Sequence, residues 1–135
     1  MFFHSRGVHQ RRGQAGRLDV WLLPFDLDRG AAKGGLEGLT QGPADRVWPS
    51  LSKDARFATF TDQAAGFSIW RREFASGKES LVARSPFNLQ FSTSNPSGDR
   101  VTYSMYERDK RLVYVATLGG APEKLCEDCL RASDW

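Results

Sequence analysis

An all-β chain built on a repeated four-stranded unit is what this sequence predicts, and three observations predict it. Residues 49–60, PSLSKDARFATF, return forty-three residues later as residues 92–103, STSNPSGDRVTY. Short apolar or alternating runs, bounded by Gly, Pro, Asn, Asp or Ser, follow one another roughly every 8–12 residues. No stretch sustains a helical period over the 11 or so residues that an amphipathic helix needs. A fixed repeat decides architecture before local propensity does.

Taken in order, residues 1–5 (MFFHS) read as the end of a strand, with Phe3 matching Phe60 and Tyr103. Residues 6–17 place Gly7, Gly13 and Gly16 among arginines and read as a flexible loop. Residues 19–25 (DVWLLPF) are an apolar strand that Pro24 brings to an end, because proline cannot donate to a strand ladder. A turn-rich loop over 26–35 leads to a short strand, 36–40, closed by Gln41-Gly42-Pro43. The repeated motif then gives strand 47–52, the turn Lys53-Asp54-Ala55 and strand 56–61. Residues 62–66 turn the chain into 67–74 (FSIWRREF), with Phe67, Ile69 and Arg71 on one side and Ser68, Trp70 and Arg72 on the other. Ser76-Gly77-Lys78 is a tight turn before strand 79–84. The next round runs through strand 89–94, the turn Asn95-Pro96-Ser97-Gly98, strands 100–106 and 111–118, and a short strand 123–126. Residues 126–135 begin another crossing.

Four short antiparallel strands at this period have the size of one β-propeller blade. The chain then divides into a partial blade 1–42 with its loop 6–17, a second blade 43–85, a third 86–129, and a stub 130–135. Closed propellers take about four to eight blades. About three blades make an incomplete ring, so the sequence predicts a fragment, or an arc completed by further blades or by self-association. Open strand edges and an uncovered face invite association.

Composition is that of a globular chain, with 40% hydrophobic and 26% charged residues. The net charge of +3 comes from Arg6, Arg11, Arg12 and Arg17, which precede the first acid; without them 15 basic residues face 16 acidic ones. Four arginines without interleaved aromatics read as a solvated segment rather than a nucleic-acid footprint. No apolar run reaches the 18 or so residues of a membrane span, and the start lacks a secretory apolar region. That leans toward the cytoplasm, with the periplasm left open if the N-terminus is truncated.

The repeats resemble a known family in several motifs. Ser52-Lys53-Asp54-Ala55 with Phe60, and Asn95-Pro96-Ser97-Gly98 with Tyr103, resemble a Ser-Pro-Asp-Gly turn followed by a strand ending in an aromatic. Asp19-Val20-Trp21, Ser68-Ile69-Trp70 and Leu112-Val113-Tyr114 resemble its third strand. Gly34-Gly35 with Leu39-Thr40, and Gly119-Gly120 with Leu125-Cys126, resemble its closing turn and strand. These are features of the WD-repeat-like blades of the bacterial TolB β-propeller family, and the similarity covers nearly the whole chain outside the arginine-rich segment. The first turn lacks the family's Pro and Gly and the second its Asp; the Gly-His and Trp-Asp signature of true WD repeats is absent. Residues 122–129 (PEKLCEDC) also resemble propellers fused to bacterial winged-helix regulators or kinases.

Candidate chemistry is sparse. Cys126 and Cys129 have the spacing of half a zinc site, but the only histidines, His4 and His9, lie far off in sequence, and no thioredoxin-like βαβ surrounds the pair. They read as weak metal candidates, or as two small residues at a crossing between blades. Asp26, Asp28 and Glu37 echo a calcium loop whose fifth and sixth positions hold Gly30 and Ala31 instead of a ligand and the turn glycine, so a solvated turn is favoured. No nucleophile elbow is present. Trp21, Trp48 and Trp70 could stack sugars or bases, yet suit the aromatic packing between blades better. No cofactor is expected.

The resemblance implies a non-catalytic binding or scaffold module that mediates protein–protein interaction. Recognition on such scaffolds sits in loops. The loop candidates are Asp62, Gln63, Arg108, Asp109 and Lys110. The alternative is the gating propeller of a prolyl-oligopeptidase-type hydrolase whose catalytic domain lies outside this chain.

Overall fold

The computed structural model describes residues 5–12, 18–40 and 44–129. They form twelve strands in three antiparallel sheets, and no helix occurs among the described residues. The first sheet holds β1 (Ser5–Arg12), β2 (Leu18–Asp26) and two short outer pieces, β3 (Ala31–Ala32) and β4 (Glu37–Gly38). The second runs β5 (Arg46–Leu51), β6 (Phe57–Asp62), β7 (Phe67–Glu73) and β8 (Glu79–Ser85). The third runs β9 (Asn88–Ser94), β10 (Arg100–Glu107), β11 (Lys110–Thr117) and β12 (Glu123–Glu127). The second and third sheets are plain meanders, each strand pairing with its neighbour in sequence.

The repeat holds down to backbone detail. Ser52 N–H donates to the Phe57 carbonyl and Asn95 N–H to the Arg100 carbonyl, closing the same turn forty-three residues apart. Phe57 N–H donates to Ser52 Oγ, and Arg100 N–H to Asn95 Oδ1. The acid that tightens each turn occupies a different position. Ser52 Oγ donates to Asp54 Oδ1 at 2.8 Å; in the second turn Asn95 Nδ2 and Ser97 Oγ both donate to Asp99 Oδ1 at 2.6 Å. The second turn thus obtains its carboxylate from just outside the four residues of the motif. Those two donors, Ser97 first, hold the Asp99 carboxyl below the usual range.

The first strand of each complete sheet also carries the same irregularity. Val47 and Ser50 pair with Thr61 and Thr59, leaving Trp48 and Pro49 opposite Phe60. Gln90 and Thr93 pair with Ser104 and Thr102, leaving Phe91 and Ser92 opposite Tyr103. Two residues facing one is a β-bulge, which bends the strand and sharpens its twist. The first bulge residue is left-handed in both, Trp48 at φ 55° and Phe91 at φ 52°, and their rings meet with centroids 4.9 Å apart.

Packing follows strand alternation. Val101 and Tyr103 of β10 turn toward the second sheet, where they join Ile69, Val82, Ala83, Leu89 and Ala116 in one core. Thr59 and Thr61 of β6 face the third sheet and donate to the carbonyls of Ser92 and Leu89, each at 3.0 Å. At the far end of this seam Arg56 Nη2 donates to the Pro96 carbonyl at 2.7 Å, and Arg71 Nη1 donates to that of Gly98. The Arg71 guanidinium lies 4.6 Å from the centroid of the Phe57 ring, and burial lowers its pKa.

One expectation fails in the first sheet. Much of segment 6–17, expected as a flexible loop, is strand: β1 pairs residue for residue with β2, from Ser5 opposite Phe25 to Arg12 opposite Leu18. Its apolar partner supplies what its own glycine- and arginine-rich sequence does not advertise. The strand end expected over 1–5 falls largely outside the described residues, as do 13–17, the closing Gln41-Gly42-Pro43 and the stub 130–135. The other expected strands lie within about two residues of those observed, the usual scatter at strand ends. In the first sheet the short strand expected over 36–40 is only Glu37–Gly38, and Ala31–Ala32 adds a further piece inside the expected loop.

Candidate binding surface

An antiparallel meander places alternate turns at opposite ends of its sheet. The β6–β7 turn, the β8–β9 connection and the β10–β11 turn therefore share one end, opposite the paired motif turns. At this shared end a cavity of about 720 Å³ opens on the second sheet. Its described lining includes Asp62, Phe67, Ser68, Trp70, Arg84 and Pro86.

The geometry follows from alternation and register. Ser68 and Trp70 project from the β7 face opposite to Ile69 and Arg71, which point into the seam with the third sheet. Trp70 Nε1 donates to Ser68 Oγ at 3.0 Å, fixing the indole along the strand. Arg84 stands opposite Ser68 in the β7–β8 register, and it lines the cavity together with Trp70. Arg84 is exposed and makes no hydrogen bond or ion pair among the described residues. The turn beneath requires Gly66: its φ is 95°, and a Cβ there would stand 3.2 Å from the Ser85 carbonyl. Ser85 Oγ accepts from Phe87 N–H at 3.0 Å and donates to Met105 Sδ at 3.4 Å, tying this wall to the third sheet.

The loop residues expected to bind fall in two places. Asp62 lines the cavity, but its oxygens are engaged: Oδ2 accepts from Arg46 Nε at 3.1 Å and Oδ1 from Ala64 N–H at 3.0 Å. Gln63 begins the same turn, its N–H donating to the Asp45 carbonyl at 2.9 Å. Arg108 and Asp109 form the equivalent turn of the third sheet, with Arg108 left-handed at φ 58°. Lys110 beside them reaches Glu127 Oε1 at 2.6 Å, and that bond raises the lysine pKa and lowers the glutamate's. The structure therefore gathers Asp62 and Gln63, and separately Arg108, Asp109 and Lys110. Sequence reasoning passed over Arg84, Phe67 and Pro86. The alternation that put Ser68 and Trp70 on one face was the available signal for the indole; nothing local marked Arg84 as lining the same cavity.

Cys126 and Cys129 are bonded to each other as a disulfide across the end of β12, with Cα atoms 6.2 Å apart. Sulfurs so joined present no thiolate to a metal. Asp26 Oδ1 accepts from the N–H groups of Asp28 and Arg29, an Asx-type turn that uses the carboxylate for the chain itself. Among the described residues no three His, Cys, Asp or Glu side chains cluster. The three tryptophans do not form one platform: Trp21 packs by Gly38, Trp48 meets Phe91, and Trp70 lines the cavity. No helix among the described residues is long and apolar enough to cross a membrane.

No protein-family model and no curated protein matches the chain. Among solved structures it is similar to a protein assigned as TolB from Agrobacterium tumefaciens, with a TM-score of 0.58 and 18% identity over 90% of this chain and 61% of that one. At that identity the likeness concerns the fold: three antiparallel sheets arranged as in a β-propeller. The chain spans about three fifths of the length of that structure.

Proposed function

We propose that this chain is a non-catalytic β-propeller binding module whose partner is a protein, engaged at the end that carries the cavity. The observation that carries this reading is Arg84, an exposed arginine with no ion pair among the described residues, which lines an open cavity of about 720 Å³ together with Trp70, Phe67 and Pro86. A charge with no ion pair among the described residues is available to a partner. Aromatic and arginine side chains are the types that most often dominate protein interfaces. The matching ligand is a peptide segment that presents a carboxylate next to an apolar side chain, since an arginine lining the same cavity as a ring can hold the acid while the ring covers its neighbour.

The test is selection of displayed random peptides on the full chain. Enriched peptides should carry an acid adjoining an apolar residue. They should lose at least tenfold in affinity to Arg84→Glu and little to Arg108→Glu, on the neighbouring turn. Peptides that bind both variants as they bind the unaltered chain would refute the assignment, as would selection that enriches nothing.

A further inference from the structure

Cys126 and Cys129 close a small ring at the end of β12, the outer strand of the third sheet. The ring holds a turn against β11. Asp128 inside it is left-handed at φ 55°, a conformation that a residue with a Cβ keeps only where its surroundings impose it. In that conformation its N–H donates to the Arg111 carbonyl at 2.7 Å, and its Oδ1 accepts from the Arg111 N–H at 3.4 Å. Glu127, the other residue inside the ring, reaches Lys110 Nζ at 2.6 Å and Lys124 Nζ at 3.7 Å. Lys124, Leu125, Glu127 and Asp128 are all exposed, so little buried apolar surface holds this corner. Both cysteines are half-buried at the surface and stand outside the core. A bridge across so few residues constrains the unfolded chain little, so its effect is local.

We propose that the Cys126–Cys129 disulfide is a thiol-exchange site whose co-substrate is a dithiol, and that its reduction opens the end of β12 and releases Lys110 from Glu127. One thiolate of the dithiol attacks a sulfur of the bridge, the S–S bond breaks, and the leaving cysteine thiolate takes up a proton. The second thiol of the dithiol resolves the mixed disulfide. Two electrons and two protons pass to the cysteine pair, and the dithiol leaves as its own disulfide. Reduction removes the ring that keeps Asp128 left-handed, so its two bonds to Arg111 loosen and Glu127 no longer stands over Lys110. Lys110 opens β11 beside the β10–β11 turn, at the end of the sheets that carries the cavity. The oxidised chain holds this ammonium in an ion pair; the reduced chain offers it to solvent. The device stands whether or not a partner docks in the cavity.

The test compares the full chain before and after dithiothreitol, by amide hydrogen exchange and by acylation of lysines read by mass spectrometry. On reduction the Asp128 amide should exchange about tenfold faster or more, while those of Thr61 and Tyr103 in the two inner strands stay protected. Acylation of Lys110 should rise severalfold, and that of Lys78, on a turn of the second sheet, should not change. The double variant Cys126→Ser with Cys129→Ser should match the reduced chain and ignore dithiothreitol. Equal exchange at Asp128 and equal acylation of Lys110 in the two redox forms would overturn the proposal. So would loss of protection at Thr61 and Tyr103 on reduction, because the bridge would then brace the whole fold. Two free thiols in the chain prepared without reductant would overturn it as well.

Discussion

Ala55 and Gly98 hold the same place in the two motif turns, and both are left-handed, at φ 59° and 76°. The resemblance puts glycine there, and the backbone explains the preference: a Cβ in this region costs about 1–2 kcal/mol. Ala55→Gly should therefore stabilise the fold by about 0.5–1 kcal/mol, after allowing for the looser unfolded chain. Gly98→Ala should do the reverse and more, because its new methyl would overlap the Phe57 ring; the expected cost is about 3 kcal/mol. Urea melts of the two variants check both signs. Tyr103 offers a second test. Burial, then the neighbouring Tyr114, pushes its phenol from 10.0 up to about 12. An acid whose pKa is raised on folding contributes stability that is complete below the unfolded value and is lost as pH rises beyond it. Stability should fall between pH 10 and 12 by about 1.4 kcal/mol per unit, or about 3 kcal/mol in all. Tyr103→Phe should remove that portion of the alkaline slope, measured by melts across the range. At this scale the turns were legible as repeats. The carboxylate at Asp99 was not seen as part of its motif, because a two-residue displacement in sequence hides an identical closure in space.

Strands that bury an apolar face announced themselves. FSIWRREF alternates because Ile69 and Arg71 enter one seam while Ser68 and Trp70 face the other way. β1 has no such signature: its strand state is set by antiparallel pairing with the apolar β2, a partner reached through the chain and not through its own composition. The outer strand of the first sheet shows the opposite case. Its two pieces, β3 and β4, are interrupted around Gly34-Gly35, and both are exposed. A short, broken outer strand offers little edge for another chain to extend. β12 is secured differently, by the Lys110–Glu127 ion pair, the Asp128 N–H donating to the Arg111 carbonyl at 2.7 Å, and the disulfide just beyond. The cysteine pair was visible as a spacing, but its state was not, because three residues of separation suit a zinc half-site and a local disulfide equally. The cavity was less legible still. It depends on Arg84 lying across from Ser68, and cross-strand register is set by the whole hairpin.

Across the whole molecule, the join between the second and third sheets is directional. Every described side-chain hydrogen bond from β6 or β7 across this seam runs from a second-sheet donor to a third-sheet backbone carbonyl: Thr59 to Ser92, Thr61 to Leu89 and Arg71 to Gly98, with Arg56 to Pro96 beside them. A sheet that offers donors on one face and carbonyls on the other can be stacked head to tail, which is how a repeat becomes an arc. The arginine end of this join has the larger stake, since a buried carbonyl there accepts from a charged donor. Arg71→Met keeps the apolar stem against Phe57 but leaves the Gly98 carbonyl without that donor. It should cost about 2 kcal/mol, the range for a hydrogen bond to a charged group. Thr61→Val, at the other end, should cost about 1 kcal/mol. If the two ends act as separate fastenings, the double variant should lose the sum of both to within about 0.5 kcal/mol. A coupling much larger than that in urea melts would mean that the seam opens as one unit, and a neutral Arg71→Met would remove the guanidinium from the join altogether.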